Sequence, residues 1–99
     1  MEILKTVADG QATVKLVGRL DTVTAPDLEK ELAELIPTIS ALTLDFEGLD
    51  YLSSAGLRVL LNAQKSIGKT GKMIICHVND VIMDVFDMTG FSSILTIED

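Results

Sequence analysis

The sequence predicts a single α/β domain: a mostly parallel sheet with an antiparallel strand at its N-terminal edge, covered by helices mainly on one face. Three observations lead there. Glu2 to Val7 and Gln11 to Leu20 have strand character and flank Asp9-Gly10, a pair favoured in tight hairpins because both central positions tolerate positive φ. Downstream, strand-period and helix-period segments alternate, an order that implies right-handed crossovers and parallel pairing. Finally, 99 residues, almost half of them apolar, fill one ordinary domain, 1–99, and leave no second core.

Taken in order, the elements read β-β-α-β-α-β-α-β. In the second strand Ala12, Val14 and Leu16 alternate with Thr13 and Lys15, the period of a sheet with one covered and one wetter face. A single layer of helices suffices. Thr24 is the expected N-cap of the first helix, with Asp27 as capping-box partner and Pro26 in the first turn, where its missing N–H costs nothing. Leu28, Leu32, Leu35 and Ile36 form its apolar stripe, and Pro37 ends it. A third strand runs from about Ala41 to Phe46, followed by a short loop. Leu57, Leu60, Leu61 and Ile67 mark the second helix, closed by Gly68 and Gly71. Met73 to Cys76 reads as a buried fourth strand. Asn79 caps a third helix with the stripe Val81, Ile82, Val85, Phe86 and Met88 and with Gly90 past its end, and Ser93 to Ile97 supplies the last strand.

The composition narrows the classes of function. A net charge of −7 argues against the basic stripe that nucleic acid requires and against attraction to anionic lipid. A protein partner is expected instead. The acids concentrate in residues 1–50, which hold ten of them against four bases. No apolar run approaches the roughly 20 residues that span a bilayer, and the N-terminus lacks a basic region followed by an apolar one. Cys76 is the only cysteine, which excludes an internal disulfide and fits a reducing compartment. The expectation is a cytoplasmic protein, monomeric or weakly dimeric.

Catalytic groups are scarce. His77, the only histidine, adjoins Cys76 at a predicted strand end, and successive side chains on a strand point to opposite faces. Neither a Cys–His nucleophilic pair nor a metal site is expected there. Gly68-Lys69-Thr70 has the tail of a phosphate loop, but Ala63 occupies the place of the earlier glycine, so it reads as a turn. Asp45, Glu47 and Asp50 lie close in sequence, with Asp21 at the end of the neighbouring strand. Without a second ligand type they read as solvated loop acids, a loosely held divalent cation being the alternative. No catalytic residue, metal or cofactor is assigned. Ser53-Ser54, before the apolar second helix, places two hydroxyls at a strand–helix junction, Ser53 as N-cap and Ser54 as first helical residue.

Gly18-Arg19-Leu20-Asp21, Tyr51-Leu52-Ser53-Ser54-Ala55-Gly56-Leu57 and Val85-Phe86-Asp87-Met88-Thr89-Gly90 resemble motifs of the STAS family, named for sulfate transporters and anti-sigma factor antagonists. The resemblance covers nearly the whole chain, and its length is that of the stand-alone antagonists. It implies a binding module and no enzyme. The antagonist sequesters an anti-sigma factor that is itself a serine kinase, and is released when that kinase phosphorylates it; a serine phosphatase would reverse the modification. The phosphorylated position falls on Ser54, with Ser53 in place of the family's aspartate and Ala55 in place of a serine or threonine. Asp21 falls on the family aspartate beside that site. Its role is then recognition, against the plainer role of a turn residue ahead of Thr24.

A phosphate on Ser54 would meet the free N–H groups of a helix start and leave the fold intact. It would also add about −1.5 to −2 charges to a face expected to carry Asp21, Glu47 and Asp50. If Leu57, Leu60 and Leu61 face the sheet, then Arg58, Val59 and Asn62 point outward beside Ser54 and form the partner-binding surface. Two other readings remain open: an unmodified STAS scaffold in a transporter or stress-signalling complex, and a nucleotide-binding domain or enzyme that uses the acid cluster.

Overall fold

The computed structural model describes residues 1–98. Strands β1 (Glu2–Ala8) and β2 (Gln11–Leu20) pair antiparallel. Asp9 and Gly10 both take positive φ, 53° and 77°, as a two-residue type I′ hairpin requires. Helix α1 (Ala25–Leu35), strand β3 (Ala41–Leu52), helix α2 (Ser54–Ile67), strand β4 (Lys72–Cys76), helix α3 (Asp80–Thr89) and the two-residue strand β5 (Ile97–Glu98) follow. The strands lie side by side in chain order, and every pair after the first is parallel. The antiparallel edge strand and the mixed sheet are as the sequence predicts.

Register sorts the side chains onto two faces. Val14 opposes Leu44, which opposes Ile75; Ala12 opposes Leu42, which opposes Met73. All six are buried, and they form the floor on which Leu28, Leu32, Leu60, Ile67, Ile82 and Phe86 pack. The other face carries Thr13, Lys15, Thr43, Asp45, Ile74 and Cys76, none of them fully buried. One helical layer covers the first face, in agreement with the alternation in β2.

Five local expectations need correction. β3 does not stop at Phe46: Glu47 to Leu52, read as a loop, continue the strand to twice its expected length. Lys15 pairs with Asp45 but Val17 with Gly48, so Leu16 faces two residues of β3; a second irregularity admits Asp50 between Leu49 and Tyr51. Each such bulge resets the alternation, so buried residues fall at 42, 44, 46, 49 and 52. Thr24 does precede α1, but its hydroxyl donates backward to the Arg19 carbonyl at 2.7 Å and makes no cap bond to the helix. α2 ends on Gly68 in a right-handed conformation, and the Ile67 carbonyl accepts from the Thr70 and Gly71 amides of an ordinary turn. In α3 only Ile82 and Phe86 of the predicted stripe are buried; Val81 and Met88 are 65 % and 86 % exposed, because a helix on the margin of the layer needs a narrower apolar arc. Residues Phe91–Ser93 form a 3-10 turn, which leaves only Ile97–Glu98 as the last strand.

The remaining caps match expectation. Asn79 accepts from the Ile82 amide at 2.8 Å and donates to the Leu49 carbonyl, tying the start of α3 to β3. Gly90 ends α3 with φ +80°, the left-handed closure that glycine allows.

Candidate functional site

Leu20 and Leu52 are register partners on adjacent parallel strands, so the residues that follow them, Asp21 and Ser53, emerge side by side at one edge of the sheet. A backbone bond from the Ser53 amide to the Leu20 carbonyl, 2.9 Å, continues the ladder to that point. Ser53 then turns the chain: its extended backbone and a side-chain oxygen 3.3 Å from the Gly56 amide make it the N-cap of α2. Ser54 is the first helical residue and is exposed. No acidic residue occupies the first turn of α2, so the partial positive charge of its free amides is not neutralised from within the helix.

The start of α2 is seated by Gly56. A β-carbon there would come within 2.7 Å of both Leu20 and Leu52; only glycine lets the first turn lie against the two strand ends. Beside it, the Arg19 guanidinium sits 4.1 Å from the centre of the Tyr51 ring and 3.8 Å from the Asp21 carboxylate.

Asp21 has the role that the plainer reading gave it. Its Oδ1 accepts from the amides of Val23 and Thr24, both at 3.0 Å, and its carbonyl accepts from the Ala25 amide at 2.8 Å. It therefore organises the turn into α1, the task the sequence assigned to Thr24. The Thr24 backbone N–H, followed by the Thr24 hydroxyl, the Val23 N–H and the Arg19 charge, outweighs partial desolvation and holds the carboxyl below its usual range.

Of the proposed contact surface, Arg58 and Asn62 are exposed along α2, four residues apart on one face with Ser54. Val59 is not with them: it is only 4 % exposed. The expectation failed because α2 packs against α1 as well as against the sheet, which widens its buried arc to include Val59 and Ala63 and leaves Leu61 half-buried. Val59 forms the floor of two shallow grooves between the helices, one bordered by Thr22, Pro26 and Arg58, the other by Glu29, Pro37 and Asn62.

Of the acids expected beside Ser54, Asp21 stands at the neighbouring strand end and Asp50 is exposed on β3, but Glu47 turns elsewhere. With Asp45 it faces His77, whose Nδ1 lies 2.9 Å from Asp45 Oδ1 and 3.8 Å from Glu47 Oε2. Nor do Cys76 and His77 point apart: His77 follows the end of β4 with φ +57°, so strand alternation no longer governs it and its ring comes within 3.6 Å of the Cys76 sulfur. Asp9 is marked as left-handed by the glycine that follows it in a hairpin, but no neighbour of His77 marks it in this way. Burial alone would raise the Asp45 carboxyl, but the Glu47 amide and His77 hold it low. The hydrogen bond to Asp45 raises His77.

A sequence model of the STAS domain matches residues 2–99. The chain belongs to the STAS family. Among curated STAS relatives, BtrV of Bordetella bronchiseptica is 33 % identical over 99 residues, covering 98 % of this chain and 85 % of that protein. The anti-sigma F factor antagonist of Paenibacillus polymyxa is 32 % identical over 93 residues, covering 91 % and 80 %. A crystal structure of an anti-sigma factor antagonist from Mycobacterium paratuberculosis superposes with a TM-score of 0.88 at 25 % identity over 97 % of this chain and 83 % of that one. The anti-sigma factor antagonist SpoIIAA, known in unphosphorylated and phosphorylated forms, shares the fold with TM-scores of 0.79 and 0.77 at 17 % and 16 % identity; the two superpositions cover 99 % of this STAS chain and 88 % and 92 % of SpoIIAA. Among the described residues no helix is long and apolar enough to cross a membrane.

Proposed function

We propose that this STAS domain is an anti-sigma factor antagonist: a binding module, not an enzyme, that holds an anti-sigma factor with serine kinase activity while Ser54 is unmodified and releases it once Ser54 is phosphorylated. The observation that carries the reading is the division of labour at the start of α2. Ser53 supplies the cap and Ser54 stands exposed one residue inside, so Ser54 can gain and lose a phosphate without a structural bond being broken. Its relatives' names support the antagonist role, and SpoIIAA is a protein of this fold that occurs with and without phosphate.

The contact surface in this reading is Ser54, Arg58 and Asn62 along the outer side of α2, with Asp21 and the Arg19–Tyr51 stack at its near end. Val59 contributes only as the apolar floor between the helices. A phosphate adds about −1.5 to −2 charges at the centre of that surface. It would be tolerated by the helix start and resisted by a partner that has to desolvate it. A serine phosphatase restores the binding form. The test is phosphopeptide mass spectrometry on the protein isolated from its own cells, beside affinity measurement against the serine kinase that copurifies with the Ser54→Ala form. Phosphate on Ser54 and loss of binding in the phosphorylated form are expected. An unmodified Ser54 under all growth conditions would leave a passive scaffold instead.

A further inference from the structure

The cluster around His77 takes no part in the switch. Asp45 and Cys76 are register partners on β3 and β4 and project from the face of the sheet that the helices leave uncovered. The ligand atoms of Asp45, Cys76 and His77 all lie within 4.8 Å of one another, and the exposed Glu47 carboxylate, outside that group of three, reaches to 3.8 Å from His77 Nδ1.

We propose that Asp45, Cys76, His77 and Glu47 form a Zn²⁺ site that staples β3 to β4 on the open face. The donor set is one sulfur, one imidazole nitrogen and two carboxylate oxygens, which suits a borderline-soft cation without geometric preference better than Mg²⁺ or Ca²⁺, which take oxygen alone. The distances fit. With Zn–S about 2.3 Å and Zn–N about 2.0–2.1 Å, a tetrahedral site separates sulfur from nitrogen by about 3.6 Å, and Cys76 Sγ and His77 Nδ1 stand 3.6 Å apart. The corresponding nitrogen-to-oxygen edge is about 3.3 Å. His77 Nδ1 is 2.9 Å from Asp45 and 3.8 Å from Glu47, so one edge opens and the other closes by about half an ångström. Glu47 is exposed and free to rotate inward.

The supporting groups suit the task. Asp45 is oriented by the Glu47 amide, which donates to Oδ1 at 2.9 Å, the kind of outer bond that fixes a ligating carboxylate. The left-handed backbone at His77 brings its ring to the same side as Cys76. On binding, the thiol releases its proton to solvent and the imidazole keeps its single proton on Nε2. The site is independent of the switch reading: it uses no residue of the Ser54 surface and lies on the opposite face.

Co²⁺ is the probe. Titrated into the reduced, metal-free 99-residue protein, it is expected to give a thiolate-to-cobalt charge-transfer band with tetrahedral d–d absorption, saturating at one ion per chain and removed by Zn²⁺. Cys76→Ser and His77→Ala abolish the band while their circular dichroism stays that of the parent, and Glu47→Gln weakens binding by at least about tenfold, the loss typical of even an outer partner. In the unmutated protein Zn²⁺ protects Cys76 from alkylation, which tests the site without relying on any variant to fold. Absence of the charge-transfer band, the same band in His77→Ala, saturation at half an ion per chain, or alkylation indifferent to Zn²⁺ each overturns the proposal.

Discussion

Two neighbouring serines at the start of α2 have different surroundings. The Ser53 oxygen is engaged with the Gly56 amide, whereas among the described residues no side-chain bond holds Ser54. Loss of an N-cap hydroxyl costs roughly 0.5–2 kcal/mol, and alanine at the first helical position costs nothing. Because the Ser53 bond is long, the cost of Ser53→Ala is expected in the lower half of that range, about 0.5–1 kcal/mol. Urea curves should therefore shift for Ser53→Ala and coincide with the parent for Ser54→Ala, and a kinase assay on the same samples should find phosphate on the first and none on the second. Asp21 makes a separate prediction. Folding favours its ionised form, so its folded pKa lies below the ordinary 3.8. Its contribution is complete above that value and is lost as the pH falls through the depressed folded value. The urea midpoint of the parent should fall in that acidic window more steeply than that of Asp21→Asn, whose amide oxygen can still accept from Val23 and Thr24 but does not titrate. Equal slopes would mean that Asp21 is not the group holding the turn.

At the scale of the element, α2 is fixed by contacts on two sides. Gly56 admits it to the strand ends, and Val59 and Ala63 join it to α1. Gly56→Ala forces a methyl into Leu20 and Leu52, an overpacking that typically costs 1–3 kcal/mol; it should lower the melting temperature and, by tilting the helix start, weaken partner binding as well. Val59→Ala should destabilise by about 2 kcal/mol through the cavity it leaves, while Arg58→Glu, on the exposed side, should leave the melting temperature within a degree or two and reduce affinity for the partner. Unaltered affinity of Arg58→Glu would move the contact surface off this face. Elements were legible where a local signal decided them: Asp9-Gly10 for the hairpin, Asn79 and Gly90 for the ends of α3, alternation for β2. They were misread where a distant contact decided. The second half of β3 looks like a loop because two bulges against β2 break its period, and Val59 looks exposed because nothing in α2 announces that α1 lies beside it. Thr24 looked like a cap because the competing acceptor, the Arg19 carbonyl, lies five residues back.

Across the molecule, one five-stranded sheet separates two chemistries. The Ser53 cap and the exposed Ser54 one residue inside were legible because serines and helix start are contiguous in the chain. The Asp45–Cys76–His77 cluster was not, because it depends on parallel register between β3 and β4 and on a left-handed residue, neither of which composition or spacing encodes. This separation bears on how phosphorylation can act. Phosphate at the first residue of α2 meets free amides and a favourable helix end, an interaction worth about 0.3–1 kcal/mol at an exposed site. It breaks no bond of the fold and lies away from the six-residue floor of the core. The chain already carries −7, so added charge repels it weakly as a whole, and that repulsion is screened beyond about 8 Å at physiological salt. Local gain and global repulsion therefore nearly cancel within the folded protein. A partner that covers Ser54 has no such compensation, since it must strip water from a phosphate of about −1.5 to −2 charges. The unfolding free energies of the phosphorylated and unphosphorylated proteins should then agree within about 1 kcal/mol, while affinity for the partner falls by at least tenfold, about 1.4 kcal/mol. Parallel urea titrations and calorimetric binding on the two forms measure both quantities, and a phosphorylated form that unfolds several kcal/mol more easily would make the switch a matter of stability and not of surface.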